Sequence, residues 1–552
     1  MASLNSYLLF IFALVLVPLF FIVPAFISPL RRVPAAHPLA QFSSAWILWK
    51  RFRVVENATI KAVHDRLGPV VLLGPNEVSV NCVKGGLSTV YGGGMEKPTG
   101  KDGWYGNFTN FNVMNMFATS SGKLHSQRKR MISNIYSKSN IQSSRELAAR
   151  SSIIFHKRIL PMLDGICSGS MSGGYRHTHG VCDMYLVLCG MTMDIVTSYI
   201  FGLSVSANFT ENPIVCGHFM HNYNSRHGYS FWPFETPGFL RLMDRFGLRK
   251  YFVPDLVAKA NGEIEEWTMI MVDGARKLLD SGVQQDPENT PIVYQQLRLG
   301  LEREAAKTGS NRSSHEQRLM IASELLDHFA AGFDTSAITL TYLVWELSRP
   351  HNQHLQGRLR KELLTLSPIL SASKPGSMDI PDAKSVDSLP LLQAIIQEVL
   401  RLHSAIPGPQ PRETPVGGAF IGPDVQTGST SPQSGRTYFI PGRVRVSANA
   451  LTLHSNPDVF PDPSKFSPER WLTTEGEARK EMDRWFWAFG SGGRMCVGSN
   501  LAIYQMKFII AAIYTSYRTH IIDDTGIEQE DAYTARPRGQ KLMIKLEPVS
   551  NI

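Results

Sequence analysis

Residues 489–498 read Phe-Gly-Ser-Gly-Gly-Arg-Met-Cys-Val-Gly. Five of them have the types and spacing to hold a heme iron through sulfur. Cys496 offers a soft anionic axial ligand that pushes electron density onto the metal. Gly492 permits a backbone turn that a side chain would obstruct, and Gly498 lets the next helix approach a flat ring. Arg494 is a permanent cation for a propionate, and Phe489 can shield the sulfur from water. A glycine-rich surface loop with an inert cysteine is the alternative. Four further fixed types at fixed offsets argue against it.

Other segments carry weaker signals. Residues 331–336, Ala-Gly-Phe-Asp-Thr-Ser, fall inside an apolar helix predicted near 321–348. A glycine, an acid and two hydroxyls are unfavourable there, and such local conflicts mark working sites. Residues 398–401, Glu-Val-Leu-Arg, place an acid and a cation three apart on one helical face. Residues 346–349 have the same form, so spacing alone does not single out Glu398. Also present are Pro411-Arg412-Glu413, Pro468-Glu469-Arg470-Trp471, and His125-Ser126-Gln127-Arg128-Lys129.

Taken in order, these segments resemble the cytochrome P450 family over about residues 29–546. The resemblance implies a mainly α fold with a small β-rich region, preceded by an N-terminal transmembrane helix. It implies heme b, its iron ligated axially by Cys496, with Arg494, Phe489, Gly492, Gly498, Arg412, His125 and Lys129 contacting the cofactor. Lys129 stands where the family usually has arginine, and lysine lacks the bidentate fork; Arg128 and Arg130 are the alternatives. Gly332 is expected to make room for dioxygen beside a locally opened helix. Thr335 is expected to hydrogen-bond the oxygen, and Asp334 to lead protons inward. Glu398, Arg401 and Arg470 are expected to form a buried structural charge network behind the heme.

The implied function is a membrane-anchored monooxygenase that inserts one atom of O2 into a small apolar molecule. Electrons would come from an NADPH-cytochrome P450 reductase, and basic segments 123–130 and 479–484 could face such an acidic partner. The chain looks most like filamentous-fungal members, which points to a secondary metabolite such as a terpenoid or polyketide. Trp104, Tyr105, Phe108, Phe111, Met114 and Phe117 cluster where the family's substrate loop lies; Phe329, Phe333 and Ile406 fall in regions that line its distal pocket. The same motifs also allow a heme-thiolate isomerase or dehydratase, although those commonly lose the acid-threonine pair. A non-enzymatic heme sensor is the third reading.

Bulk properties fit. The chain has 552 residues, 43% hydrophobic and 19% charged, with net charge +9. That composition suits a large globular core and lacks the basic arms of a nucleic-acid binder. Six cysteines without CxxC spacing suggest a reducing compartment. Residues 7–30 carry no charge and read as a transmembrane anchor. Arg31, Arg32, Lys50, Arg51 and Arg53 follow it, which puts residues 31–552 in the cytoplasm. For the microsomal members resembled, that means a single-pass protein of the endoplasmic reticulum membrane. The sequons at Asn57, Asn107, Asn208 and Asn311 would then be unglycosylated. Prolines 29, 34 and 38 predict a stiff hinge. Strands are predicted at 70–73, 78–80, 444–447 and 541–545, helices from about 120 to 401, and a polar loop at 424–438.

Overall fold

The predicted hairpin forms. β1 (Val70–Gly74) and β2 (Glu77–Val80) pair antiparallel, with Val70 opposite Val80. The computed structural model describes residues 23–98, 103–170, 175–282, 285–309, 311–371, 378–423 and 436–549. β3 (Arg176–Thr178) and β4 (Val181–Asp183) follow, then β5 (Arg412–Glu413), β6 (Ala419–Ile421) and β7 (Tyr438–Ile440). β8 (Arg445–Ser447), β9 (Tyr517–Asp523) and β10 (Met543–Pro548) complete the set. One sheet runs β1-β2-β8-β5, with β8 parallel to β2; another runs β3-β4-β10-β9; β6 and β7 pair alone. The predicted polar loop lies mostly outside the described residues, but β6 and β7 flank it.

Helices dominate the stretch from about 120 to 401, as expected, but β3 and β4 interrupt it. Gly180, at φ +75°, makes their turn, and β10 from the far end of the chain captures β4. A partner so distant leaves no local signal.

Six helices position the site: α1 (Gly122–Ile132), α2 (Met184–Phe201), α3 (Asp255–Asp280), α4 (Ser314–Ser348), α5 (Pro390–Leu402) and α6 (Ser499–Ser516). α4 begins seven residues before its predicted start because Ser313 and Glu316 form a capping box. The Ser313 hydroxyl accepts from the Glu316 N–H at 3.2 Å, and the Glu316 carboxylate accepts from the Ser313 N–H at 2.8 Å. α2 packs along α4, and the Thr192 hydroxyl donates to the Phe333 carbonyl at 3.3 Å.

α2 is the one described helix long and apolar enough to cross a membrane, yet 94% of its apolar window is buried within the protein. It is a core helix. Most of the predicted anchor lies outside the described residues. Its described end is a short helix, Val23–Ile27, and a 3-10 turn, Pro29–Arg32, opened by Pro29. Asn57, one of the four sequons, is buried and its side-chain amide donates to the Ala532 carbonyl.

Candidate active site

The cysteine loop is closed by its own backbone. The Cys496 N–H donates to the Phe489 carbonyl at 3.0 Å. Gly492 sits at φ +70°, where a methyl group would lie 2.2 Å from the Tyr91 carbonyl oxygen, so only glycine serves. Gly490 is also left-handed, at φ +67°. A methyl built on Gly498 meets no protein atom within 4 Å. Protein packing therefore does not require that glycine, whereas a flat ring would.

Of the six cysteines, five are buried and Cys496 alone is accessible. Even so, burial is the main influence on its thiol, pushing it up; the N–H groups of Gly498 and Ser499 and the Lys129 ammonium pull it back. Accessible yet enclosed, the sulfur faces inward. It stands just before the N-terminus of α6, where N–H dipoles favour a thiolate.

Three cations and a histidine converge nearby. Arg494 donates to the Thr119 carbonyl at 2.7 Å and to the Ser120 carbonyl. Arg412, on β5, donates to the Tyr105 hydroxyl at 2.8 Å and lies over the Tyr91 ring at 4.8 Å. His125 is buried on α1, and burial with Arg494, Lys97, Lys129 and Arg412 drives its pKa down to about 3. Lys97, which belongs to no sequence motif, is 3% exposed. Its ammonium lies 3.9 Å from the Tyr105 and Phe117 ring centroids and donates to the Phe117 carbonyl. Burial, Arg412 and Arg494 hold Lys97 well below the usual lysine range. Buried cations that repel one another call for anions between them. The two propionates of a porphyrin meet that need, and the donor set fits heme.

Lys129 is placed elsewhere. Its ammonium donates to the carbonyls of Gly493 at 3.0 Å and Met495 at 2.9 Å. It braces the cysteine loop instead of joining Lys97 and Arg412. Arg128 does not replace it, since it donates to the Met114 carbonyl and lies 3.8 Å from Glu324.

Behind the loop, Glu398 is fully buried and accepts five hydrogen bonds. Arg401 donates to both its oxygens at 2.8 and 2.9 Å, and Arg470 at 3.0 Å. The Ser467 N–H at 3.0 Å and the Trp471 indole at 2.8 Å complete the shell. His454 carries this network to the cysteine loop. Its Nδ1 lies 2.9 Å from the Arg401 carbonyl, and its Nε2 accepts from the Trp487 N–H at 2.8 Å. The imidazole is neutral, pushed down to about 3 by burial and Arg401.

On α4 the structure departs from expectation at several points. The helix runs without a break through 331–335, and the Thr335 hydroxyl donates to the Ala331 carbonyl at 2.8 Å. Gly332 faces α2: a methyl there would lie 3.1 Å from Val196 Cγ1. It permits close helix packing, and Ala331 is the accessible residue. Phe329 and Phe333 are fully buried, ringed by Phe219, Trp267 and Tyr223. They belong to the core because two residues of helix turn them roughly 200° from Asp327 and Ala331. Asp334 is not free. Arg536 grips both its oxygens, Nε to Oδ1 at 3.1 Å and Nη2 to Oδ2, and the Tyr223 hydroxyl lies 3.4 Å away.

An aromatic enclosure stands beside Lys97. Phe108 meets Phe117 at 4.9 Å, Phe234 at 5.3 Å and Tyr533 at 5.8 Å, and Trp104 meets Tyr533 at 5.0 Å. Trp104, Phe108 and Phe117 were expected there; Phe234 and Tyr533 arrive from remote segments. Tyr533 and Arg536 share one C-terminal loop with Asp531, whose carboxylate accepts from the Asn57 and Ala58 N–H groups at 2.7 and 2.9 Å. Segment 479–484 is internally neutralised: Arg484 bonds Glu477 and Glu481, each at 2.8 Å, and Arg479 meets Asp483 at 3.2 Å.

Comparison with known proteins agrees with this geometry. The cytochrome P450 family model matches residues 45–543. The chain is 28% identical to cytochrome P450 monooxygenase avaI of Aspergillus versicolor, over 80% of this chain and 93% of that one. It is 25% identical to cytochrome P450 monooxygenase FGM1 of Gibberella zeae, over 89% and 87%. With aflV of Aspergillus parasiticus, another cytochrome P450 monooxygenase, it shares 25% identity over 89% and 85%. With a cysteine loop, a cation cradle and a family match that spans them all, the chain belongs to the cytochrome P450 family.

Proposed function

We propose that this cytochrome P450 monooxygenase works at a membrane, takes its electrons from an NADPH-cytochrome P450 reductase, and oxidises a compact, largely apolar metabolite. Heme b, held by the Cys496 thiolate, supplies dioxygen activation when bound. Arg412, Arg494, Lys97 and His125 hold its propionates; Gly492 and Gly498 give it room. Thr335 supplies a hydroxyl proton at Oγ1, which it can turn away from the Ala331 carbonyl. Asp334 passes protons to that hydroxyl only while Arg536 releases it. The aromatic enclosure excludes water and fixes the substrate. Glu398, Arg401 and Arg470 keep the cysteine loop in place through His454.

The observation that carries this reading is the single accessible cysteine facing inward beneath a cradle of mutually repelling cations. The membrane reading is supported by an exposed apolar surface. Trp49, Phe52, Phe246 and Tyr251 are 45–72% exposed. Ring contacts from Phe52 through Trp232 to Phe239 link its parts, with exposed Arg245, Arg249 and Lys250 alongside. Such a surface suits an anionic bilayer interface. Exposed Lys123 and Arg130 lie on α1, the helix that touches the cysteine loop through Lys129, and suit an acidic reductase. Localisation to the endoplasmic reticulum, with the body cytoplasmic, and a role in secondary metabolism rest on the likeness to microsomal fungal members.

The test is turnover of the membrane-bound protein with reductase, NADPH and an extract of candidate metabolites, following mass gains of one oxygen. Product formation that needs both dioxygen and the reductase supports the reading. Porphyrin uptake by Cys496→Ser with an unchanged carbonyl spectrum would remove it.

A further inference from the structure

Tyr136 stands just beyond α1 and ties together α6 and α4, the helices of the cysteine loop and of the acid-threonine motif. Its backbone carbonyl accepts from the Asn500 side-chain amide of α6 at 2.9 Å. Its hydroxyl reaches α4, where His328 Nδ1 lies 3.0 Å away. When the hydroxyl donates to Nδ1, the ring hydrogen of the neutral imidazole sits on Nε2. His328 Nε2 lies 3.4 Å from Glu324 Oε1, with the two side chains 4% and 6% exposed. Neither of these atoms makes a hydrogen bond elsewhere among the described residues. The other Glu324 oxygen is engaged, accepting from the Met116 N–H at 2.9 Å. Tyr136, His328 and Glu324 thus form a line of proton donors and acceptors that the propionate cradle and the acid-threonine motif do not use.

Neighbouring tyrosines end differently. Tyr91 and Tyr199 donate to the backbone carbonyls of Gln410 and Ile135, and Tyr105 accepts from Arg412. A carbonyl or a guanidinium does not take up a proton, whereas an imidazole does. That difference matters for oxidation. Burial, with Tyr199, Cys496 and Glu324, pushes the Tyr136 phenol far above its usual range, so it does not ionise beforehand. It gives up an electron only as its proton leaves, and His328 is placed to receive that proton. The Tyr199 ring lies 5.7 Å from Tyr136 but has no base at its hydroxyl, so the oxidation stops at Tyr136.

We propose that Tyr136 is a redox-active residue that returns one electron to the heme when a hydroperoxide oxidises it in the absence of substrate, with His328 and Glu324 taking the proton. A hydroperoxide that takes up two electrons and two protons becomes an alcohol and water; the heme supplies the electrons, and Tyr136 returns the first. The phenol proton moves to His328 Nδ1 as the Nε2 proton moves to Glu324 Oε1. A neutral phenoxyl radical, a neutral imidazole and a carboxylic acid are left. One electron from a flavoprotein reductase, with the proton coming back along the same line, restores the phenol.

The test treats the heme-loaded full chain, without substrate, with cumene hydroperoxide. Freeze-quenched samples are followed by electron paramagnetic resonance, and the heme band by absorbance. A tyrosyl signal is expected, identified by its narrowing when the chain carries ring-deuterated tyrosine. Tyr136→Phe should lose the signal and bleach its heme several-fold faster. His328→Gln keeps a hydrogen-bond acceptor for the phenol but no base, and should lose most of the signal. If Y136F takes up no heme, H328Q decides alone. The proposal is overturned by the lack of a tyrosyl signal in the unaltered protein, by a signal that survives in Y136F or is undiminished in H328Q, or by bleaching no faster in Y136F. The reduced carbonyl spectrum of the same wild-type sample reports the Cys496 thiolate separately, so either reading can fail alone.

Discussion

Arg536 and Asp334 form a buried ion pair, 2% and 4% exposed at their side chains, between the C-terminal loop and the middle of α4. The acid of the acid-threonine motif is thus held by a cation two hundred residues away, and Tyr223 closes its other side. Removing the cation leaves a buried carboxylate unpaired. Arg536→Leu is expected to destabilise the fold by about 3–5 kcal/mol, while Asp334→Asn and Arg536→Leu together cost less than the sum of the two. A urea-unfolding double-mutant cycle checks this, and additive losses would show that the two side chains do not act as a pair.

Thr335 has a hydroxyl but a local acceptor, the Ala331 carbonyl. Thr335→Ala removes the hydroxyl and leaves the helix intact. Reducing equivalents should then be diverted to hydrogen peroxide at similar total NADPH use. The peroxide-to-product ratio, measured against wild type, reads it out; an unchanged ratio removes Thr335 from proton delivery.

Lys97 gives a prediction of opposite sign in two states. Without heme its cation is repelled by Arg412 and Arg494; with heme it meets a propionate. Lys97→Met should raise the melting temperature of the heme-free protein and speed heme loss from the loaded one by roughly ten-fold or more, as a charge-assisted contact implies. Heme transfer to apomyoglobin measures the second effect. Unchanged heme loss would place the propionates elsewhere.

Two fully buried histidines contribute to a pH dependence of stability. Burial pushes His64 down to about 4 and His454 to about 3, whereas in the unfolded chain both titrate near 6.5. Below that value the unfolded state binds more protons, so stability is fully present above about pH 6.5 and lost as pH falls. Each of the two adds a slope of up to roughly 1.4 kcal/mol per unit between pH 5.5 and 4.5, on top of what the other depressed histidines, His125 among them, contribute. Urea midpoints across that range measure it, and His64→Asn should lower the slope by about 1 kcal/mol per unit.

The sequence was most legible where chemistry is local. The cysteine loop lies within ten residues, and its backbone requirements can be read from glycine positions alone. Glu398 and Arg401 share a helical face by spacing. Helical spacing names a face but not the partner it meets, which is why Lys129 was assigned to a propionate and turns out to brace Gly493 and Met495. A glycine does not announce which neighbour comes close, so the packing of Gly332 against Val196 of α2 could not be read from the sequence. Lys97, Phe234, Tyr533, His454 and Arg536 escaped notice because each is brought in by a contact across much of the chain. Tyr533 and Arg536 follow an unremarkable polar stretch that carries no periodicity at all.

That stretch has a consequence for how such a protein can change. One loop supplies a wall of the enclosure at Tyr533, a clamp on the motif acid at Arg536, and a cap on an early helix at Asp531. A substitution there that reshapes the enclosure also disturbs proton supply and the attachment of the N-terminal region. New preferences for other molecules are therefore expected to arise first at Phe108 and Phe234, whose side chains answer to a single task.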